Sequence, residues 1–185
     1  MSIPKLMAVG GLADRLAVVT GNAPAYHARQ IRGLIRAGAL KPATYGGEGQ
    51  TAAALFDEAG LCRTMIVHAL ASLNLEFDLL AVAAATTSNL DPDVRRAGVM
   101  EPAEALPLAI ARIRKGEKMY FHVAFPEWPY DELFGDVRGR ITNKPEVDDV
   151  AYDIDGNEAL PIIPARAWIV LPLHRLLKPL LESGE

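Results

Sequence analysis

The sequence predicts an α+β chain: a helical N-terminal module carrying a glycine-rich hairpin, then a small mixed α/β C-terminal domain. Three observations predict it. Apolar residues recur at helical spacing through most of the stretch from Leu12 to Ala85. That periodicity breaks where Gly46, Gly47 and Gly49 place three glycines in four positions, which no helix interior tolerates. After Gly116 the texture becomes alternating, with aromatic and β-branched residues, as in strands. Asn89-Leu90-Asp91-Pro92-Asp93 reads as the boundary between a domain at 1–88 and another at 93–185.

The elements follow in order. Leu12, Leu16 and Val19 predict a first helix, closed near Thr20-Gly21-Asn22 by residues that favour left-handed backbone. Pro24 suits the first turn of a second helix, which runs to about Ala37 before Gly38 and Pro42. Its apolar stripe is Ala28, Ile31, Leu34 and Ile35, and Arg29, Arg32 and Arg36 form a second stripe at spacings of three and four. Gly46-Gly47 then turns a hairpin within Lys41 to Ala53. Asp57 is an N-cap residue between Phe56 and Leu61, a pair suited to a hydrophobic staple; the third helix continues through Ile66, Leu70 and Leu73. An apolar helix is expected over Leu75 to Ala85, and a shorter one over Ala103 to Lys115. Met119 to Phe125, Val137 to Thr142, Val150 to Ile154 and Ala167 to Leu171 read as strands, with Asp155-Gly156 as a turn. His174 to Glu182 reads as a terminal helix.

Composition narrows the function classes. No apolar run reaches the about 18 residues that span a bilayer, and Met1 to Gly10 falls short of a secretory signal. A lone cysteine, Cys62, excludes an intramolecular disulfide and a cysteine-based metal cluster. The expected compartment is the cytoplasm. The net charge of −4 hides an asymmetry. Met1 to Leu75 holds seven Lys or Arg against four Asp or Glu, whereas the remainder holds twelve against nineteen. The basic excess lies in the N-terminal part, which therefore tolerates a polyanion.

The order helix, turn, helix, hairpin, helix has a physical logic when the ligand is duplex DNA. A major groove about 12 Å wide admits one helix, held by others packed behind it. Arginine pairs bidentately with guanine or clamps phosphate oxygens, and small residues at a hairpin tip approach the backbone closely. From Leu12 to Leu80 the chain resembles the winged helix-turn-helix of MerR-type regulators. The resemblance rests on Leu12-Ala13, Thr20-Gly21, Gln30-Ile31-Arg32 and Arg36-Ala37-Gly38-Ala39-Leu40 with Pro42 following. Leu55-Phe56-Asp57-Glu58 and Leu61-Cys62-Arg63 complete it.

That resemblance implies a sequence-specific transcriptional regulator that reads double-stranded DNA with its second helix. Arg32 would lie in the recognition helix, with Arg29, Gln30 and Arg36 contacting bases or phosphates beside it. The hairpin would be the wing, contacting DNA through Lys41, Tyr45 and Gln50, and Arg63 would approach the DNA backbone. The stretch from Gly21 to Ile31 is longer than the family's, so Tyr26 and His27 either face DNA or pack the enlarged turn. The family's long dimerisation helix is interrupted by Pro92, Pro102 and Pro107, since interior proline costs about 3 kcal/mol. A homodimer is therefore expected through the C-terminal domain, with RNA polymerase or another regulator as a further partner.

Two rival classes are weighed against this one. A protein-interaction adaptor would keep the winged scaffold without using DNA, in keeping with the acidic C-terminal part. An enzyme would draw on Phe121-His122-Val123-Ala124-Phe125-Pro126-Glu127-Trp128-Pro129-Tyr130-Asp131-Glu132, joined in space by His174. Aromatics between prolines more often hold a loop against a core, and no metal spacing is present there. Asp148, Asp149, Asp153 and Asp155 lack the ligand spacing of a calcium loop. No catalytic residue, metal or cofactor is expected.

Overall fold

In the computed structural model the described residues are 6–47, 52–73, 75, 77–88, 105–126, 138–147 and 165–182. Contacts divide the chain into two compact units, one of Met1–Ala84 with Leu176–Glu185 and the other of Ala85–Arg175. The return of the last residues to the first unit was not expected.

The first unit begins with strand β1 (Met7–Ala8) and helix α1 (Val9–Thr20). Gly21 ends α1 with φ of 76°, a left-handed conformation that suits glycine. Helix α2 (Pro24–Arg36) starts at the proline, whose missing N–H costs nothing in a first turn. Strands β2 (Thr44–Gly46) and β3 (Ala53–Phe56) pair antiparallel, with Tyr45 opposite Ala54 and Gly46 opposite Ala53. Strand β1 adds to the other edge of β3, Met7 opposite Phe56, giving the order β1-β3-β2. Two residues are too short a run for alternation to reveal, so β1 has no signature in the sequence.

Helix α3 (Glu58–Ala71) follows at once. The Asp57 carboxylate accepts the Gly60 amide at 2.7 Å, the N-cap bond that the sequence announces. Gly60, Leu61, Cys62, Thr64, Met65, Ile66, Val67 and Leu70 are all buried, so α3 is apolar nearly all round and runs through the core. It stops at Ala71, short of the expected end, and Leu73 is 51% exposed. Helix α4 (Phe77–Ala85) leads into a 3₁₀ turn at Thr86–Ser88.

The second unit contains helix α5 (Ala105–Arg114) and a sheet of β4 (Tyr120–Pro126), β5 (Arg138–Thr142) and β6 (Ala165–Pro172). Both neighbours pair antiparallel with the central β4, in the order β5-β4-β6. Phe121, His122, Val123 and Ala124 are buried in succession, so β4 is covered on both faces. Pro107 falls in the first turn of α5, where proline is tolerated. The strand expected at Val150 to Ile154 and the turn at Asp155-Gly156 lie outside the described residues.

The expected terminal helix is two short pieces, α6 (Leu173–Leu176) and α7 (Lys178–Glu182). Pro179 lacks the N–H that a continuous helix would need at that point. Leu180 and Leu181 of α7 are buried, and the Arg15 guanidinium on α1 donates to the Leu180 carbonyl at 2.6 Å. Among the described residues, no helix is long and apolar enough to cross a membrane.

Candidate nucleic-acid interface

Helix α2 presents two faces. Its buried stripe is His27, Ile31 and Leu34, at spacings of four and three, and Arg29, Arg32 and Arg36 are exposed. Packing of the apolar stripe inward thus leaves three guanidinium groups outward at the same helical spacing. The Arg36 Nε donates to the Arg32 carbonyl at 3.3 Å, laying that side chain along the helix. Lys41 is exposed on the connection into the hairpin, and Tyr45 on β2 is 59% exposed. Gln50 lies outside the described residues.

Tyr26 and His27 part company, although they are adjacent. Tyr26 is 40% exposed. His27 is only 1% exposed, which fits the packing alternative and not the DNA-facing one: it occupies the N-terminal end of the buried stripe, one turn before Ile31. Arg63 is also less available than expected. It is half-buried on α3, where burial lowers its guanidinium pKa and the Asp57 carboxylate acts in the opposite sense. The group stays charged at neutral pH, because the guanidinium remains protonated in proteins.

A polar cluster behind the exposed face escaped the sequence reading. The His27 Nε2 lies 2.7 Å from the Thr20 hydroxyl at the end of α1. From α3, His68 Nδ1 lies 2.9 Å from Gln30 Oε1, and Gln30 Nε2 donates to the Tyr26 hydroxyl at 2.8 Å. The imidazoles of His27 and His68 meet edge to face with ring centres 5.0 Å apart, and Tyr26 lies edge-on to both. Burial lowers the pKa of each histidine, and His27 lowers that of His68 further. The cluster joins the ends of α1 and α2 to the last turn of α3. Residues 38 and more apart in sequence meet there, so no local pattern could have paired them.

Of the residues in the enzymatic alternative, His122 and His174 are described. His122 is buried in β4 between the partners Arg140 and Val170, whereas His174 Nδ1 lies 3.1 Å from the Met119 carbonyl with its ring against Tyr120. Glu127 and the aromatic segment after it lie outside the described residues. Among the described residues no three His, Cys, Asp or Glu side chains come together in a metal-binding group. Cys62 is free and buried.

Compared with known proteins, the chain matches no family model, no curated protein and no solved structure.

Proposed function

We propose that this chain is a sequence-specific DNA-binding transcriptional regulator, its first unit working as a MerR-like winged helix-turn-helix. One observation carries the reading: Arg29, Arg32 and Arg36 stand exposed along α2, while His27, Ile31 and Leu34 anchor the same helix in the core. A helix held from behind with guanidinium groups outward is the arrangement that enters a major groove. The β2–β3 hairpin serves as the wing, with Lys41 and Tyr45 as its exposed contacts. The basic excess of the N-terminal part draws the phosphate backbone to this side of the chain.

A helix of this length reads only a few base pairs, so two copies on paired half-sites extend the readout. In this reading the second unit supplies the dimer contact, and its acidic composition suits a contact with RNA polymerase or another regulator. A cytoplasmic setting goes with that role.

The Arg32→Ala variant tests it. Arg32 is exposed, so folding should be unchanged. Affinity for a cognate duplex, found by mapping sites bound in cells, should fall by about 1–3 kcal/mol if Arg32 reads a base. If it clamps a phosphate, the loss should be sequence-independent and the salt slope shallower by about one. A folded variant that binds as tightly as the parent, with the same slope, would overturn the assignment.

A further inference from the structure

The hydrogen-bond network around His27 assigns its protons. The Thr20 hydroxyl donates to the Leu16 carbonyl at 2.9 Å, so its oxygen accepts from His27 Nε2–H. His27 Nδ1 is then a bare lone pair, buried and without a hydrogen-bond partner. On the other side, Gln30 gives its amide hydrogens to Tyr26 and turns its oxygen to His68, so His68 Nδ1 carries the proton. Both rings are neutral in this arrangement, and each has a single nitrogen left for a further proton.

Neither nitrogen has a carboxylate waiting. From α1 the pair meets Thr20; of the charged residues on that helix, Asp14 is exposed and Arg15 is directed at the Leu180 carbonyl and the Met7 sulfur. From α2 it meets Tyr26 and Gln30, while Arg29, Arg32 and Arg36 point away into solvent. On α3, Glu58 lies in the first turn, about 15 Å along the axis from His68, and Arg63 is about 7.5 Å away. A proton from solvent on His27 Nδ1 would therefore create a buried donor with no acceptor among the described residues. A proton on His68 would place a cation against the neighbouring imidazole, 5.0 Å between ring centres.

We propose that the His27–His68 pair is a proton-responsive latch on the DNA-reading helix. One added proton opens the α2–α3 junction and releases Gln30 and Tyr26 from the geometry in which they face the duplex. This rests on the DNA-binding reading of α2. The sign follows from burial, which holds both histidines below their ordinary pKa of about 6.5. Unfolded or opened chains then bind more protons than the closed form below that value. The latch is closed above about pH 6.5 and loosens as pH falls through the depressed values.

The test uses the full chain with two separate readouts. Amide hydrogen exchange across α2, corrected for the intrinsic rate, is measured without DNA at about pH 8 and about pH 5. The parent is compared with His27→Gln/His68→Asn, in which neutral amides replace both rings and keep a donor near each bonded nitrogen. The parent should open on the order of tenfold more at the lower pH, and the double variant should not respond. Where the double variant fails to fold, His68→Asn alone, at the half-buried site, should still lessen the response. A flat parent, or a folded variant that keeps the parent's full response, would sink the latch. Binding to a mixed-sequence duplex at low salt and about pH 8 is read separately. Absence of binding there overturns the DNA reading whatever the exchange shows, whereas binding with flat exchange overturns the latch alone.

Discussion

The four histidines of this chain divide evenly between the two units, and they are held in different ways. His27 and His68 sit where helices meet, joined only by side chains: a threonine hydroxyl, a glutamine amide and ring edges. His122 is embedded in the backbone ladder of β4 with a strand on either side, and His174 is tied to the Met119 carbonyl just before that strand. A side-chain junction yields when one group changes its charge. A ladder of backbone bonds keeps its own donors and acceptors whatever the charge of a side chain, because these are amides and carbonyls. The side-chain contacts behind the exposed arginines of α2 are thus open to a change of charge, whereas the second unit is framed by backbone pairing.

The largest expected effect breaks that frame. Gly139 on β5 faces the buried Thr86, and a Cβ placed there would overlap the Thr86 side chain and press on the Phe121 ring. Thr86 is close to its own backbone at the clash, so it cannot swing clear as a long side chain would. Gly139→Ala should cost about 1–3 kcal/mol of stability through overpacking, seen as a lower urea midpoint and faster amide exchange in β4. An unchanged midpoint would mean that the close approach of β5 to the Thr86 turn is absent in solution.

A second change works on the adjustable junction. Thr20→Val keeps the side-chain shape but removes the oxygen that accepts from His27 Nε2–H and from the Asn22 amide. A buried imidazole then has no partner on either nitrogen, at a cost of about 1–2 kcal/mol. The His27 ring should also become harder to protonate or, if it opens to water, return toward an ordinary histidine titration; NMR of the ring protons separates the two. A variant as stable as the parent, with an unmoved ring titration, would show that Thr20 does not hold His27.

Much of the fold was legible because it is written in local chemistry. Gly21 and Pro24 bracket the turn between α1 and α2 through their backbone properties, and Asp57 starts α3 with its side-chain carboxylate. The strand character of β4 shows in its aromatic and β-branched content, although burial on both faces leaves no alternation of exposure there. The exposed stripe of Arg29, Arg32 and Arg36 is likewise a matter of helical spacing. What escaped depends on contacts distant in sequence. His27 follows the same spacing as Ile31 and Leu34, but a histidine there reads as buried only when Thr20 is known to meet it. His68 gives no sign of Gln30, and nothing in Leu180 announces a bond to Arg15. The two-residue β1 is too short for any periodic signal.

The smallest effect sharpens the comparison by testing a helix start on the adjustable side. Asp57 accepts from the Gly60 amide and its carboxylate acts on the half-buried Arg63, so one side chain both caps α3 and steadies a cation. Asp57→Ala should cost about 1 kcal/mol from the lost cap. Asp57→Asn retains an oxygen for the amide but removes the charge. If Asn restores most of the stability, the cap is the main contribution and Arg63 tolerates the loss of its neighbour. If Asn behaves like Ala, the carboxylate matters chiefly through charge, and stability of the Asn variant should also become less sensitive to salt than that of the parent. In the first case the cap bond to Gly60 is what Asp57 contributes; in the second its charge beside Arg63 contributes as much.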